Sequence, residues 1–221
     1  MMLLFRDTIN RNIHLISCRQ KGPGGLVKAI LLADDDGLTL VDSGFSDADG
    51  ELILKHIKEI GRRPQNLKRC IITHKHADHT GGLKRLRSEV NFEIVAHEAE
   101  IAAIDDSTGL HLNSALKGGQ VLPVCGGLQV IHMPGHTAGS ISLFLPQHRT
   151  LLAGDAIFSA GQWLMFPPPY LCDDPAQANE SVRRLVKMNL DIQSVVVGHG
   201  EDLHEKGKER LTLILSEKRA I

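Results

Sequence analysis

The chain has 221 residues, 42% of them hydrophobic, and its 25 Lys+Arg and 26 Asp+Glu leave a formal net charge of -1. That size and apolar content suit one domain spanning 1–221 with an ample core, and a second full domain would be cramped. Near-neutral charge without a dense basic run argues against nucleic acid as a partner, because phosphate binding leaves a basic footprint.

Along the chain, the apolar start Met1 to Phe5 ends at Arg6, far short of a signal-peptide core, and no stretch reaches membrane-spanning length. A cytoplasmic protein with no membrane partner is expected. Apolar runs at Ile13 to Ile16, Val27 to Leu32 and Leu38 to Val41 alternate with the turn signals Lys21 to Gly25 and Asp34 to Gly37, which predicts antiparallel strands. Leu52, Ile53, Ile57 and Ile60 keep helical spacing, and Gly61 then Pro64 supply the stop. A strand at Cys70 to Ile72 leads into a ligand-rich segment and a short helix. A strand at Phe92 to Ala96, a helix near Glu98 to Ile104 and an irregular stretch from Asp105 to Gly119 follow.

Further strands are predicted at Leu128 to Ile131, Ser140 to Leu145, Thr150 to Ala153 and Ser194 to Val197. Asp174-Pro175-Ala176-Gln177 reads as an N-cap, a first-turn proline and a capping-box glutamine, opening a helix to Leu190. Glu205 to Arg219 reads as a closing helix. The order of elements suggests two sheets packed face to face with helices outside. An internal echo, Leu38 to Asp42 with Thr150 to Asp155 and Ile71 to His74 with Val195 to His199, suggests a duplicated unit delivering an Asp and a His from strand ends. Cys18, Cys70, Cys125 and Cys172 show no CxxC spacing and read as small buried hydrophobes.

The chemistry lies in Thr73-His74-Lys75-His76-Ala77-Asp78-His79, three histidines and an aspartate within six residues. Imidazole and carboxylate are the first-row metal ligands open to a protein without clustered thiolates. His74 and His76, two apart, share a side only in extended chain, whereas Asp78 and His79 fall where the chain turns helical. Two directions suggest two metals. Pro134-Gly135-His136, Ala153-Gly154-Asp155 and Val197-Gly198-His199 add donors, each after a glycine that lets backbone crowd a small centre. Three ligands for each of two metals and one bridging carboxylate make seven, the number present in His74, His76, Asp78, His79, His136, Asp155 and His199.

On that HxHxDH cluster and the later His, Asp and His in order, the chain resembles the metallo-β-lactamase superfamily over nearly its whole length. The resemblance implies an α/β fold of α+β type, a four-layer αβ/βα sandwich with a dimetal site along the sheet edges. It implies that His74, His76 and His136 hold one metal, that Asp78, His79 and His199 hold the other, and that Asp155 bridges them. The ions would be zinc, with iron or manganese as alternatives. Asp42, in Val41-Asp42-Ser43-Gly44, matches a position that supports a ligand histidine; an ordinary turn aspartate is the other reading. Two divalent ions offset by two carboxylates would lower the pKa of a bridging water, so that a metal-bound hydroxide is the nucleophile; Asp78 and Asp155 are the catalytic carboxylates.

The segment Phe158 to Leu171, apolar and proline-stiffened, follows Asp155 and holds the only tryptophan and tyrosine. Phe158, Trp163, Phe166 and Tyr170 are expected to wall a small-molecule substrate, or else to cap the core or join a homodimer. Gly22 to Gly25 is a candidate flap opposite. His14, His56, His97, His111, His132, His148 and His204 read as surface or core residues, and His111 alone is kept as a candidate for the site.

A bridging Asp155 and the lack of a signal favour glyoxalase II-like hydrolases over exported β-lactamases. Quorum-quenching lactonases resemble all seven ligands but place a tyrosine where this chain has Phe158. Glyoxalase II carries a helical C-terminal domain for glutathione, and only 22 residues follow His199 here, so glutathione thioesters are not expected as substrates. Expected is a hydrolase of a small, partly apolar ester, thioester or lactone. The alternatives are a mononuclear iron dioxygenase acting on persulfides, although Gly161 to Leu164 departs from the arginine-containing stretch of those enzymes, and a metallo-phosphodiesterase. A non-enzymatic module is disfavoured because a closed structural site needs four ligands per metal.

Overall fold

A computed structural model describes residues 7–19, 25–112 and 114–216. Backbone proximity divides the chain into two units, Met1–Leu116 and Lys117–Ile221. Residues 22–24 of the candidate flap Gly22 to Gly25, the apolar start at 1–5 and the last residues of the predicted closing helix lie outside the described residues.

The first unit holds one seven-stranded sheet in chain order: β1 (Asp7–Asn10), β2 (Ile13–Arg19), β3 (Leu26–Ala33), β4 (Leu38–Val41), β5 (Leu67–Ile72), β6 (Glu93–His97) and β7 (Ser114–Leu116). β1 to β4 pair antiparallel in succession. From β4 onward the pairing is parallel, because each connection now carries helix: α1 (Asp47–Glu59), then α2 (Ala77–Thr80) with α3 (Leu83–Glu89), then α4 (Ile101–Thr108). Ile53, Leu54 and Ile57 of α1 and Leu83 and Leu86 of α3 share a buried cluster with Leu31, Leu40, Cys70 and Ile72 of the sheet. Burial of each such side chain is worth roughly 1.5–3 kcal/mol.

The second unit comprises β8 (Val121–Leu122), β9 (Leu128–His132), β10 (Ile141–Leu145), β11 (Thr150–Leu152), β12 (Phe158–Ala160), β13 (Trp163–Met165), α5 (Pro175–Lys187), β14 (Ser194–Val196) and α6 (Gly207–Ile214). Five strands form a sheet in the order β14-β11-β10-β9-β8, and β12 and β13 form a separate hairpin. The side chain of Asp174 caps α5 by accepting from Gln177 N at 2.9 Å, with Pro175 in the first turn, as the sequence predicts. Ala178, Ser181, Val182 and Leu185 are its buried stripe at helical spacing.

Each unit carries the same device. In the first, parallel β4 and β5 end at Asp42 and Thr73-His74, with Asp42 N bonded to Ile71 O at 2.9 Å. In the second, parallel β11 and β14 run out before Asp155 and His199, with Gly198 N bonded to Gly154 O at 2.9 Å. The echo of the sequence is thus an echo of topology within each unit.

Several expected boundaries move. The helix expected near Glu98 begins at Ile101 and runs to Thr108, stopped by left-handed Gly109, and the stretch expected to be irregular also contains β7. β1 is too polar to show as an apolar run, and β8, two residues long, is too short to show as one. The closing helix starts at Gly207. Phe158 to Leu171, for which the sequence predicts no strand, holds a hairpin followed by a 3-10 turn at Pro169–Leu171. Cys18, Cys70 and Cys125 are buried as expected, whereas Cys172 is half-buried and its Sγ donates to Pro168 O at 3.5 Å.

Candidate metal centre

In the first unit the donors follow the end of β5. Thr73, His74 and Lys75 form a bend and His76 caps α2, so the two histidines do not share the extended chain that their spacing suggests. The bend itself brings them together: His74 Nε2 lies 3.0 Å from His76 Nδ1, with the rings 4.6 Å apart and nearly perpendicular. Asp78 and His79 sit in the single turn of α2, and His79 Nε2 is 3.8 Å from Asp78 Oδ2. His74 and His79 are 4.1 Å apart between ring centres.

Beneath these rings lies Asp42, buried and held at φ 59°. Its Oδ1 accepts from Thr73 N at 2.8 Å, and its Oδ2 accepts from Thr73 Oγ1 and from His79 Nδ1, each at 2.8 Å. With Nδ1–H of His79 committed to a carboxylate, the lone pair of that ring is at Nε2. Thr73 has one hydroxyl proton, donated to Asp42, so its oxygen accepts from His74 Nδ1 at 3.1 Å and leaves that ring's lone pair also at Nε2. One carboxylate thereby sets two tautomers, directly and through a threonine.

Glu100 is a participant that sequence spacing does not reveal. Fully buried, it accepts from Lys75 N at 2.7 Å through Oε2 and so holds the residue between His74 and His76. Its separation of 25 residues from Lys75 hides it, since no local pattern links a glutamate before α4 to a bend after β5. Ser43 Oγ donates to His79 O at 3.0 Å. Burial, with Asp42 nearby, pushes the Cys70 thiol well up, so it stays an uncharged hydrophobe.

In the second unit Asp155 is nearly fully buried, and its Oδ2 lies 3.6 Å from His136 Nε2 and 3.4 Å from His199 Nε2. A carboxylate oxygen facing two imidazole nitrogens is a donor set suited to divalent first-row ions. Gly198 is required here by space, because a Cβ at that position would collide with Asp155 Oδ1.

Of the four aromatics expected to form a wall, Phe158 stacks on the His199 ring, with centroids 5.9 Å apart and planes 10° apart. Trp163 and Phe166 carry the guanidinium groups of Arg210 and Arg183 on their faces, and Tyr170 is 85% exposed. His111 is exposed and sits 3.5 Å from Asp105. Among the described residues, no helix is long and apolar enough to cross a membrane.

Donor sets of this kind, near strand ends in a mixed α/β fold, are those of a metal-binding protein. The sequence model of the Metallo-beta-lactamase superfamily matches residues 22–199, so the chain belongs to that superfamily. It is 27% identical over 208 residues to "Probable metallo-hydrolase YflN" of Bacillus subtilis (strain 168), covering 77% of this chain and 78% of the relative. It is 33% identical over 141 residues to the hydroxyacylglutathione hydrolase of Brucella ovis, covering 62% of this chain. The matched part spans about half, 50%, of that relative's length. In fold, it is similar to a metallo-beta-lactamase from Pontibacter korlensis, with TM-score 0.80 and 19% identity over 96% of this chain and 99% of that one. A metallo-beta-lactamase family protein of Thermus thermophilus gives 0.74 and 22%, over 95% of this chain and 80% of that one.

Proposed function

We propose that the chain is a dinuclear metallohydrolase of glyoxalase II-like type, acting on a small, partly apolar ester, thioester or lactone. The observation that carries this reading is Asp155 Oδ2 lying within 3.6 Å of His136 Nε2 and 3.4 Å of His199 Nε2, the disposition of a carboxylate shared between two cations. His74, His76 and His136 would hold one ion, Asp78, His79 and His199 the other, and Asp155 both. Zinc suits the imidazole-rich set, and iron or manganese would be accepted by the same donors. When bound, the ions supply an activated water as nucleophile and polarise the scissile carbonyl.

The chain's own residues do the rest. Asp42 keeps His74 and His79 presenting Nε2, Glu100 fixes the bend between His74 and His76, and Asp155 spreads one negative charge over two sites. Asp78, whose side chain is 25% exposed, is more exposed than Asp155 and would orient the attacking water. As a ligand it is a weak base, so coordination is its main role. Residues 1–221 are read as a single domain working in the cytoplasm. The relative named hydroxyacylglutathione hydrolase supports a thioester among the substrates.

The test is metal quantification followed by activity panels. Two zinc ions per chain and turnover of p-nitrophenyl esters, thioesters or lactones support the reading. One iron with oxygen uptake on persulfides, or a preference for bis-p-nitrophenyl phosphate, replaces it. Asp155→Ala retaining both ions and full activity removes Asp155 from its shared role.

A further inference from the structure

His199 differs from its neighbours in exposure: its side chain is 21% exposed, against 2% for His136 and 5% for Asp155. A ligand ring on an exposed loop loses conformational entropy for each cation it binds unless something fixes its plane first. Phe158 of β12 is that contact, lying parallel to the His199 ring at 5.9 Å and tilted by 57° to the His136 ring at 6.4 Å.

The hairpin bearing Phe158 is tied to the loop bearing His199. Ser159 Oγ donates to Glu201 O at 2.6 Å. Gly200 sits so close that a Cβ there would come within 2.7 Å of Ser159 O. The loop is closed on itself by Val197 N donating to Asp202 Oδ1 at 3.1 Å. The far strand of the hairpin is anchored as well, with Arg210 of α6 lying 5.2 Å from the ring centre of Trp163, which pairs with Ala160. The hairpin that carries Phe158 and the loop that carries His199 are thus held against each other.

We infer that Phe158 is a positioning residue, and that the β12–β13 hairpin presets the plane of the His199 imidazole and so sets the affinity for one of the two cations. This rests on the dinuclear reading above. The phenyl ring brings no donor or acceptor, so it orients His199 without competing for its nitrogens.

The test is zinc titration of metal-free protein against a competing chelator, with wild type, Phe158→Ala, Phe158→Leu and Phe158→Tyr, each checked by circular dichroism for an unchanged fold. Expected is about tenfold or greater weakening of one zinc equivalent in Phe158→Ala, the other being unchanged, in the range found when residues that orient metal ligands are removed. Phe158→Tyr, which keeps the ring, is expected to retain wild-type affinity, and Phe158→Leu, which keeps volume but not the plane, to stay weak. Two unaltered equivalents in Phe158→Ala, or full affinity in Phe158→Leu, overturn the inference while leaving the dinuclear reading intact. A wild-type protein that takes up one ion overturns that reading, and the inference with it.

Discussion

Asp42 Oδ2 accepts a 2.8 Å hydrogen bond from His79 Nδ1, and both side chains are buried from solvent. The pair orients a ring whose other nitrogen is the proposed metal donor, so its removal is expected to act on metal binding before it acts on chemistry. Asp42→Ala is expected to lower zinc affinity about 10- to 100-fold. It also takes the acceptor from Thr73 N, a loss of roughly 1–3 kcal/mol in urea unfolding. Asp42→Asn should recover much of the stability and little of the affinity, because an amide can accept from Thr73 N but cannot hold the imidazole as a carboxylate does.

Glu100 does for the backbone what Asp42 does for the rings. Glu100→Ala removes the acceptor 2.7 Å from Lys75 N and frees the bend that sets the spacing of His74 and His76. Expected are a loss of about 1–3 kcal/mol in stability and roughly tenfold weaker zinc binding. Glu100→Gln retains an acceptor and should bind zinc within about twofold of wild type. Isothermal titration of the metal-free variants separates the two substitutions.

The seven candidate donors can be picked out in the sequence because they stand in short, dense motifs near strand ends, where alternation stops and glycine or helix begins. The supports were not. Thr73 and Asp42 are 31 residues apart, Lys75 and Glu100 are 25 apart, and both contacts depend on parallel pairing of β4 with β5 and β5 with β6. Local periodicity cannot report a contact made across strands. The spacing of His74 and His76 misled for a related reason, since a bend can bring i and i+2 rings together as well as a strand can. The hairpin within Phe158 to Leu171 escapes notice because its two strands around left-handed Gly161 are three residues each, too short for alternation to show.

Gly198 gives a prediction free of backbone strain, because its φ lies outside the left-handed region and only space excludes a side chain. Gly198→Ala places a methyl group against Asp155 Oδ1 and should turn that carboxylate away from His136 and His199. Zinc stoichiometry is expected to fall with little change in circular dichroism. Gly61→Ala is the contrasting control: φ is +77° and nothing lies within 4 Å, so it should cost about 1 kcal/mol in stability and leave zinc binding alone.

His14 supplies a pH dependence remote in kind from the metal ligands. Its ring meets His56 edge-on at 5.3 Å, and burial lowers its pKa, opposed by a hydrogen bond with the Arg11 backbone. In the folded state the ring therefore resists protonation that the unfolded chain accepts near its ordinary value of about 6.5. Below that value the unfolded state binds more protons, so stability falls as pH is lowered from about 6.5 until the folded-state pKa is passed, and is unaffected above. His14→Gln should flatten this part of the curve without altering stability at pH 8 by more than about 1 kcal/mol. Urea unfolding of metal-free protein between pH 8 and 5 measures it, and an unchanged slope in the variant would assign the acid sensitivity to other groups.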